Sequence, residues 1–193
     1  MLVQYIKEAP TDLFNTVLEE IKGIDWEAIN NPIRNKTSSA FASSRAILLR
    51  RQVVPQPIPE TLRDWGKAIP CEDIAFNIEK YPNVYALTKW MQEQVGGVEL
   101  GKIMVVRLNP RAGVIQHVDD YEYFEYYSRF HVPLVTNPNV VFSGDGSPAQ
   151  HMPAQMLCRL NNRALHQVDN NSDEYRIHLL VDIRISEDNS IFM

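Results

Sequence analysis

Residues 160–182 read LNNRALHQVDNNSDEYRIHLLVD, and this stretch decides the fold. It opens two β-like runs, Leu165 to Val168 and Tyr175 to Ile185, the second continuing past the quoted end. A polar cluster rich in Asn, Asp and Ser precedes the second run, and Asn-Asn-Arg precedes the first; such clusters mark turns. In the second run Arg176, His178, Leu180 and Asp182 alternate with Ile177, Leu179 and Val181. Alternation sends the two sets to opposite faces of a strand. One face is wholly apolar, and the other carries an arginine, a histidine and an aspartate.

The same rhythm runs upstream. Lys102 to Leu108, Val114 to Asp119, Arg129 to Val135, Val140 to Ser143 and Gln155 to Leu160 read as further short strands, with a turn at Asn109 to Gly113. Short strands at regular spacing predict a sandwich or barrel. Residues 1–97 read differently. A helix starts with Thr11 as N-cap, carries Leu13, Phe14, Val17, Leu18 and Ile21 on one face, and stops at Gly23. Ser44 to Arg51 reads as a strand. The Pro-rich stretch Val54 to Pro59 precedes a short helix near Thr61 to Ala68. A third helix spans Asn83 to Val95, with Val84, Leu87, Trp90 and Met91 inward and Gly96-Gly97 as its end. Helices before strands predict the α+β class. The expectation is a single domain over 1–193, with 1–97 a mainly helical support region and 98–186 the β core.

The 193 residues hold 19 Lys and Arg against 24 Asp and Glu, a net charge of −5. The whole-domain basic footprint of a nucleic-acid binder is therefore absent. No apolar run approaches the roughly 18 residues of a membrane span, and the start MLVQYIKEAP lacks a secretory design. Two cysteines, Cys71 and Cys158, are too few for a disulfide framework. A reducing, cytoplasmic setting with both thiols structural is the expectation.

The five histidines, 117, 131, 151, 166 and 178, all lie in the strand-rich half. His117-Val118-Asp119 puts an imidazole and a carboxylate two apart, on one strand face if the strand continues. His166, after the Asn-Asn-Arg turn, is the best third ligand. Two histidines and one carboxylate form the facial set of non-haem iron(II) oxygenases, which leaves coordination positions open. An inward Arg176 is costly unless an anion meets it, and a dicarboxylate co-substrate supplies one through a bidentate fork. Arg129 and His131 repeat the Arg-x-His device. The bland alternative is an internal salt-bridge network to Asp119 and Asp182.

The segments HVDD, RFHVPLVTNPNVVFSG and the stretch quoted first resemble the aspartyl/asparaginyl β-hydroxylase family, over about Ile103 to Asp182. The resemblance implies a double-stranded β-helix (a jelly-roll, cupin-like barrel) and a dioxygenase using Fe(II), 2-oxoglutarate and O2. It implies His117, Asp119 and His166 as metal ligands and catalytic residues. It implies Arg176 as partner of the distal carboxylate of 2-oxoglutarate, with His131, Arg129 and His178 around it. Animal enzymes of this kind have glycine in place of the metal carboxylate. Asp119 makes this chain look closer to small proline-type amino-acid hydroxylases, and it argues against a halogenase.

The expected reaction hydroxylates an unactivated C–H of an amino acid, free or within a peptide, releasing succinate and CO2. Substrate candidates are Arg107, Tyr121 and Tyr123. Five of eighteen aromatics fall within residues 121–127, which suggests either a lid or a packed flap. The acid-free stretch Ile29 to Pro59, with Arg34, Lys36, Arg45, Arg50 and Arg51, is either a solvated basic face or an anion-recognition surface. The alternatives are the same chemistry on a nucleobase, a barrel that binds metal and 2-oxoglutarate without catalysis, and a purely structural barrel.

Overall fold

A computed structural model describes residues 1–29, 43–53, 70–144 and 146–186. The chain begins with strand β1 (Val3–Glu8) and helix α1 (Thr11–Lys22), then β2 (Ser44–Gln52) and β3 (Cys71–Asp73). Helices α2 (Ala75–Lys80) and α3 (Pro82–Gln94) follow, and then β4 (Gly97–Leu108), β5 (Gly113–His117) and the short α4 (Glu122–Tyr126). The rest is strand: β6 (Ser128–Val135), β7 (Val140–Gly144), β8 (Ser147–Gln150), β9 (Met156–Leu160), β10 (His166–Asn170) and β11 (Arg176–Ile185).

Two antiparallel sheets result, a seven-stranded one ordered β1-β9-β6-β11-β4-β2-β3 and a four-stranded one ordered β5-β10-β7-β8. β11 sits mid-sheet and carries out the alternation read from the sequence. Ile177, Leu179, Val181 and Ile183 pack into the large core beneath α1 and α3. On its other face Arg176, His178 and Asp182 are buried toward the small sheet. The neighbours keep this parity. His131 pairs with Leu180, and Val106 with His178, on the polar side. Phe130, Val132, Ile103 and Val105 join the helix-side core.

The helices brace the large sheet. Phe14, Val17 and Ile21 of α1 and Val84, Leu87 and Met91 of α3 are buried, while Trp90 is only half-buried against the same core. Pro82 opens α3, where a missing N–H costs nothing. The Glu20 carboxylate of α1 accepts the next two amides, Asn83 at 3.0 Å and Val84 at 2.9 Å, so one helix caps the other.

Four readings are corrected. Thr11 is the first helical residue and Pro10 the cap, because the Pro10 carbonyl already accepts the Phe14 amide. Residues 1–97 are more than helical support, since β1, β2 and β3 complete the large sheet. Between the expected strands Val140 to Ser143 and Gln155 to Leu160 the structure has a further strand, β8, that the sequence reading left out. The small strand β5 ends at His117, so Asp119 lies beyond it. The helix expected at Thr61 to Ala68 lies outside the described residues, as do Arg34 and Lys36.

Candidate functional site

His117 ends β5 and His166 begins β10, and the two are direct cross-strand partners. Their ring centroids lie 4.3 Å apart. Gly144 permits this arrangement at the end of β7. At φ +142° it lets the chain pass against the Leu165 carbonyl and the His166 backbone, where a Cβ would collide. Asp119 reaches the same point by another route. Its amide donates to the Asn162 carbonyl at 2.9 Å, tying the loop after β5 to the loop before β10. The ligand atoms of His117, Asp119 and His166 lie within 4.8 Å of one another.

Both imidazoles are oriented alike. His117 Nδ1 lies 2.7 Å from the Ile115 carbonyl, and His166 Nδ1 lies 2.9 Å from the Ala164 carbonyl. A carbonyl only accepts, so each Nδ1 carries the proton and each Nε2 presents its lone pair. Burial lowers the His166 pKa, which favours the neutral form that a metal needs. Asp119 is held at Oδ2, where Asn162 Nδ2 and Arg129 Nη1 each donate at 3.0 Å. Its Oδ1 faces His117 Nε2 at 3.7 Å. Such outer contacts orient ligands in metal sites generally. The donor set of two nitrogens and one carboxylate oxygen suits iron(II).

His117 and His166 line a cavity of about 180 Å³ between the sheets, and Arg129, which holds Asp119, lines it too. Met104, Val106, Leu108 and Leu180 give it apolar walls, and Arg176 and His131 line it with His117 and His166. Arg176 is 4% exposed and lies over the Phe142 ring. It donates through Nη2 to His178 Nδ1 at 2.7 Å. His178 is not a wall of this cavity; it stands behind Arg176 and orients it. His131 Nδ1 approaches the same nitrogen at 3.4 Å, and the Nε2 atoms of both histidines are buried with no hydrogen-bond partner.

These two rings give stability a pH dependence. Burial, reinforced by the Arg176 guanidinium, holds His131 and His178 well below their ordinary value of 6.5. In the unfolded chain both titrate near 6.5. Below that pH the unfolded state takes up protons that the folded state refuses, so stability is lost as pH falls. The slope for the pair reaches about 2.7 kcal/mol per pH unit. Urea unfolding between about pH 7.5 and about pH 5 measures it, and a flat profile would mean that the folded rings accept protons.

Three expected roles change. Arg129 forks onto Asp182, through Nε at 2.8 Å and Nη2 at 3.0 Å, and its remaining arm holds Asp119. The salt-bridge network posed as the bland alternative therefore exists at Arg129, and it includes Asp119 of the His117, Asp119 and His166 cluster. Arg107 faces the helix side of β4, opposite Ile177, and is closed off by Glu27 at 2.7 Å and by the Trp26 and Tyr175 rings. Strand parity keeps it out of the lining of that cavity. Tyr123 is 1% exposed, and its hydroxyl donates to Asp182 at 3.1 Å while accepting the Lys102 amide at 2.8 Å. It is a structural phenol, not a substrate clamp. Residues 121–127 form a packed flap: Tyr123, Phe124 and Tyr127 cluster with Tyr121 and Cys71. Gly101 lies beneath them, where a Cβ would strike Tyr123 and Tyr127.

Two features escaped the sequence reading. Asn162 holds Asp119 twice, and its only signal is membership of the Asn-Asn-Arg turn. Lys102 lies over the Tyr123 and Phe124 rings and 3.9 Å from Asp182. Burial pulls its pKa down to about 8, with Asp182 opposing. Of the basic stretch, Arg50 and Arg51 are taken by Asp73 and Glu72 of β3. Among the described residues no helix is long and apolar enough to cross a membrane.

The chain's likeness to known proteins agrees with this geometry. It is similar to a 2OG-Fe(II) oxygenase family oxidoreductase from Burkholderia pseudomallei, with 10% identity, 86% of this chain and 77% of that one covered, and a TM-score of 0.56. It is similar to a prolyl hydroxylase from Trichoplax adhaerens solved with a hypoxia inducible factor peptide, with 10% identity, 99% and 86% covered, and a TM-score of 0.59. It is also similar to a Pseudomonas putida prolyl-4-hydroxylase, with 14% identity, 95% and 91% covered, and a TM-score of 0.51. These likenesses establish a fold of the 2OG-Fe(II) oxygenase kind. No curated protein matches the chain in sequence. The family model described as aspartyl/asparaginyl beta-hydroxylase matches residues 36–185, well over half of the length. On that match, the chain belongs to the aspartyl/asparaginyl β-hydroxylase family.

Proposed function

We propose that this protein is an Fe(II)- and 2-oxoglutarate-dependent hydroxylase acting on an unactivated C–H of an amino acid, free or within a peptide. The observation that carries the proposal is a single cavity lined by His117 and His166, two members of the cluster that Asp119 completes, and by Arg176. On this reading the two sheets are the halves of a double-stranded β-helix, and the whole chain is one cytoplasmic oxygenase domain. Peptide-bound prolyl hydroxylase among the similar structures favours an amino-acid or peptide substrate. The net charge of −5 disfavours a nucleobase in a nucleic acid.

The residues present fit the group. His117 and His166 offer Nε2 lone pairs in the tautomer their backbone partners fix, and Asp119 offers Oδ1 while Arg129 and Asn162 hold Oδ2. Bound iron(II) and 2-oxoglutarate supply oxidative decarboxylation, in which O2 places one oxygen in succinate and one on the substrate carbon, with release of CO2. Arg176 meets the distal carboxylate in a fork that His178 keeps aimed. His131 lines the same space with a buried ring nitrogen able to accept or donate a hydrogen bond. The apolar walls exclude water from the reacting centre.

Anaerobic titration of iron(II) and 2-oxoglutarate into metal-free protein tests this. The expected result is the visible charge-transfer band of a chelated 2-oxo acid. Arg176→Ala should weaken apparent 2-oxoglutarate affinity by about tenfold to a hundredfold, the worth of a charge-assisted fork, while metal binding persists. Metal binding without a band would identify a barrel that does not chelate the co-substrate. No metal binding would overturn the proposal.

A further inference from the structure

Among the described residues the large sheet ends in β1 and β3, and the small sheet ends in β5 and β8. An edge strand leaves a row of amides and carbonyls without a neighbour, and proteins guard such edges with charge, proline, shortness or bulges. β1 carries Lys7 and Glu8, β3 is three residues long and carries Glu72 and Asp73, and β8 contains Pro148. β5 differs. It reads Gly113-Val114-Ile115-Gln116-His117, with no acid, lysine, arginine or proline. It pairs with β10 alone among the described residues. Ile115 is 59% exposed and Gln116 is exposed as well, so solvent reaches the middle of the strand.

This edge is also the one that ends at the metal cluster, and the one bulge it has serves that end. His117 pairs with His166 and Val114 with Val168, so Ile115 and Gln116 together stand against Gln167. The bulge breaks strict alternation and re-aims the strand's last side chain. Val114 and His117, three positions apart, therefore both line the cavity between the sheets.

That geometry gives the edge a use. Side chains directly opposite each other on paired strands stand about 4.5–5.5 Å apart at Cβ. On the β10 side the residue opposite His117 is His166, the other candidate imidazole ligand. A strand added on the outer side of β5 would set one of its own residues opposite His117, directed into the same cavity. Val114, Met104 and Val106 give that cavity apolar walls. The residues flanking the inward one would turn outward, beside the exposed Ile115 and Val118.

We propose that the outer edge of β5 receives the acceptor as an extended peptide, paired strand to strand, with an aliphatic acceptor side chain opposite His117. The proposal rests on the oxygenase reading for its reaction, and it narrows the acceptor to a residue within a polypeptide. Main-chain hydrogen bonds supply affinity in this mode of recognition, and alternate side chains supply specificity. A free amino acid has no backbone with which to continue the ladder.

The probes are N-acetylated heptapeptide amides with Pro, Leu, Ile or Val at the centre and randomised flanks, together with the same four free amino acids. With iron(II), 2-oxoglutarate and O2, at least one peptide pool is expected to release succinate well above its free amino acid. The best peptide is then remade with N-methyl groups on alternate amides, in each of the two registers. Only alternate amides of an added strand donate to β5, so one methylated form should lose affinity by about tenfold or more while the other keeps it. In metal-free protein the same peptide should slow amide hydrogen exchange over residues 113–117, with the same difference between registers. Ile115→Lys places a guarding charge at an exposed position. It should weaken that protection and leave the charge-transfer band of bound 2-oxoglutarate in place.

A free amino acid turned over as well as its peptide, equal binding of the two methylated forms, protection indifferent to Ile115→Lys, or a band with no response from any peptide pool would each overturn the proposal and leave the oxygenase reading standing. Protection of residues 113–117 that rises with protein concentration and needs no peptide would assign the edge to a second copy of this chain, and would also overturn it. A missing band with peptide-dependent, register-dependent protection would uphold the docking edge and overturn the oxygenase reading instead. Neither band nor protection would overturn both.

Discussion

Asp119→Ala is expected to lower iron(II) affinity by more than about a hundredfold, beyond the loss that follows removal of an outer-sphere partner in metal sites. The size of the effect comes from what surrounds the carboxylate. Asp119 is 8% exposed, and Arg129 Nη1 lies 3.0 Å from its Oδ2. Removing it takes away the proposed ligand and leaves the Arg129 Nη1 arm beside the two histidines without its acceptor. The family's animal members, which have glycine here by the resemblance drawn above, show that two histidines alone are a known arrangement. In this chain the same deletion leaves Arg129 with Asp182 as its one remaining carboxylate and its Nη1 arm without the Asp119 acceptor. A double variant, Asp119→Ala with Arg129→Leu, is therefore expected to bind metal better than Asp119→Ala alone. Equilibrium dialysis with iron(II) or cobalt(II), alongside urea unfolding of each variant, measures both quantities. Retention of wild-type affinity in folded Asp119→Ala would show that the histidines suffice and that the carboxylate is not a ligand.

The residues most legible in the sequence were those governed by strand parity. The alternation of Arg176, His178, Leu180 and Asp182 placed all four on the buried polar face of β11, where the structure has them. The helix stops at Gly23 and at Gly96-Gly97 were equally local signals. Parity failed where the chain left the sheet. Asp119 was placed by extending β5 two residues too far, and it reaches the cluster only because its amide finds the Asn162 carbonyl 43 positions away. Arg107 was ambiguous for the same reason, since the turn at Asn109 to Gly113 hides which face precedes it. Partners of charged groups were illegible throughout. Nothing local in Arg129 says that it meets Asp182 from the adjacent strand, while Arg159, on a strand of the same sheet, meets no acid among the described residues. The edge strand β1 was missed because its register depends wholly on β9, 150 residues later in the chain.

Breaking the pair behind the cluster should produce the largest loss of stability. Asp182 is 0% exposed and accepts Arg129 twice, at 2.8 and 3.0 Å, and Tyr123 at 3.1 Å, with Lys102 Nζ at 3.9 Å. Asp182→Ala removes the one anion shared by two buried cations and a buried phenol. Deleting one partner of a buried pair typically costs about 3–5 kcal/mol, because the remaining charge is left without compensation. Here the remaining Arg129 must also shift its whole charge onto Asp119, in competition with a metal. Iron(II) affinity should therefore fall by about tenfold to a hundredfold, the usual range for outer-sphere partners. The two effects separate in a second variant. Asp182→Leu with Arg129→Met removes the pair together and substitutes apolar volume, which is expected to recover most of the stability. It should not recover metal affinity, since Asp119 then loses the donor that orients it. Urea midpoints report the first quantity, and metal titration of the folded variants reports the second. Loss of stability without loss of affinity would make Arg129 and Asp182 a structural strut with no part in positioning Asp119.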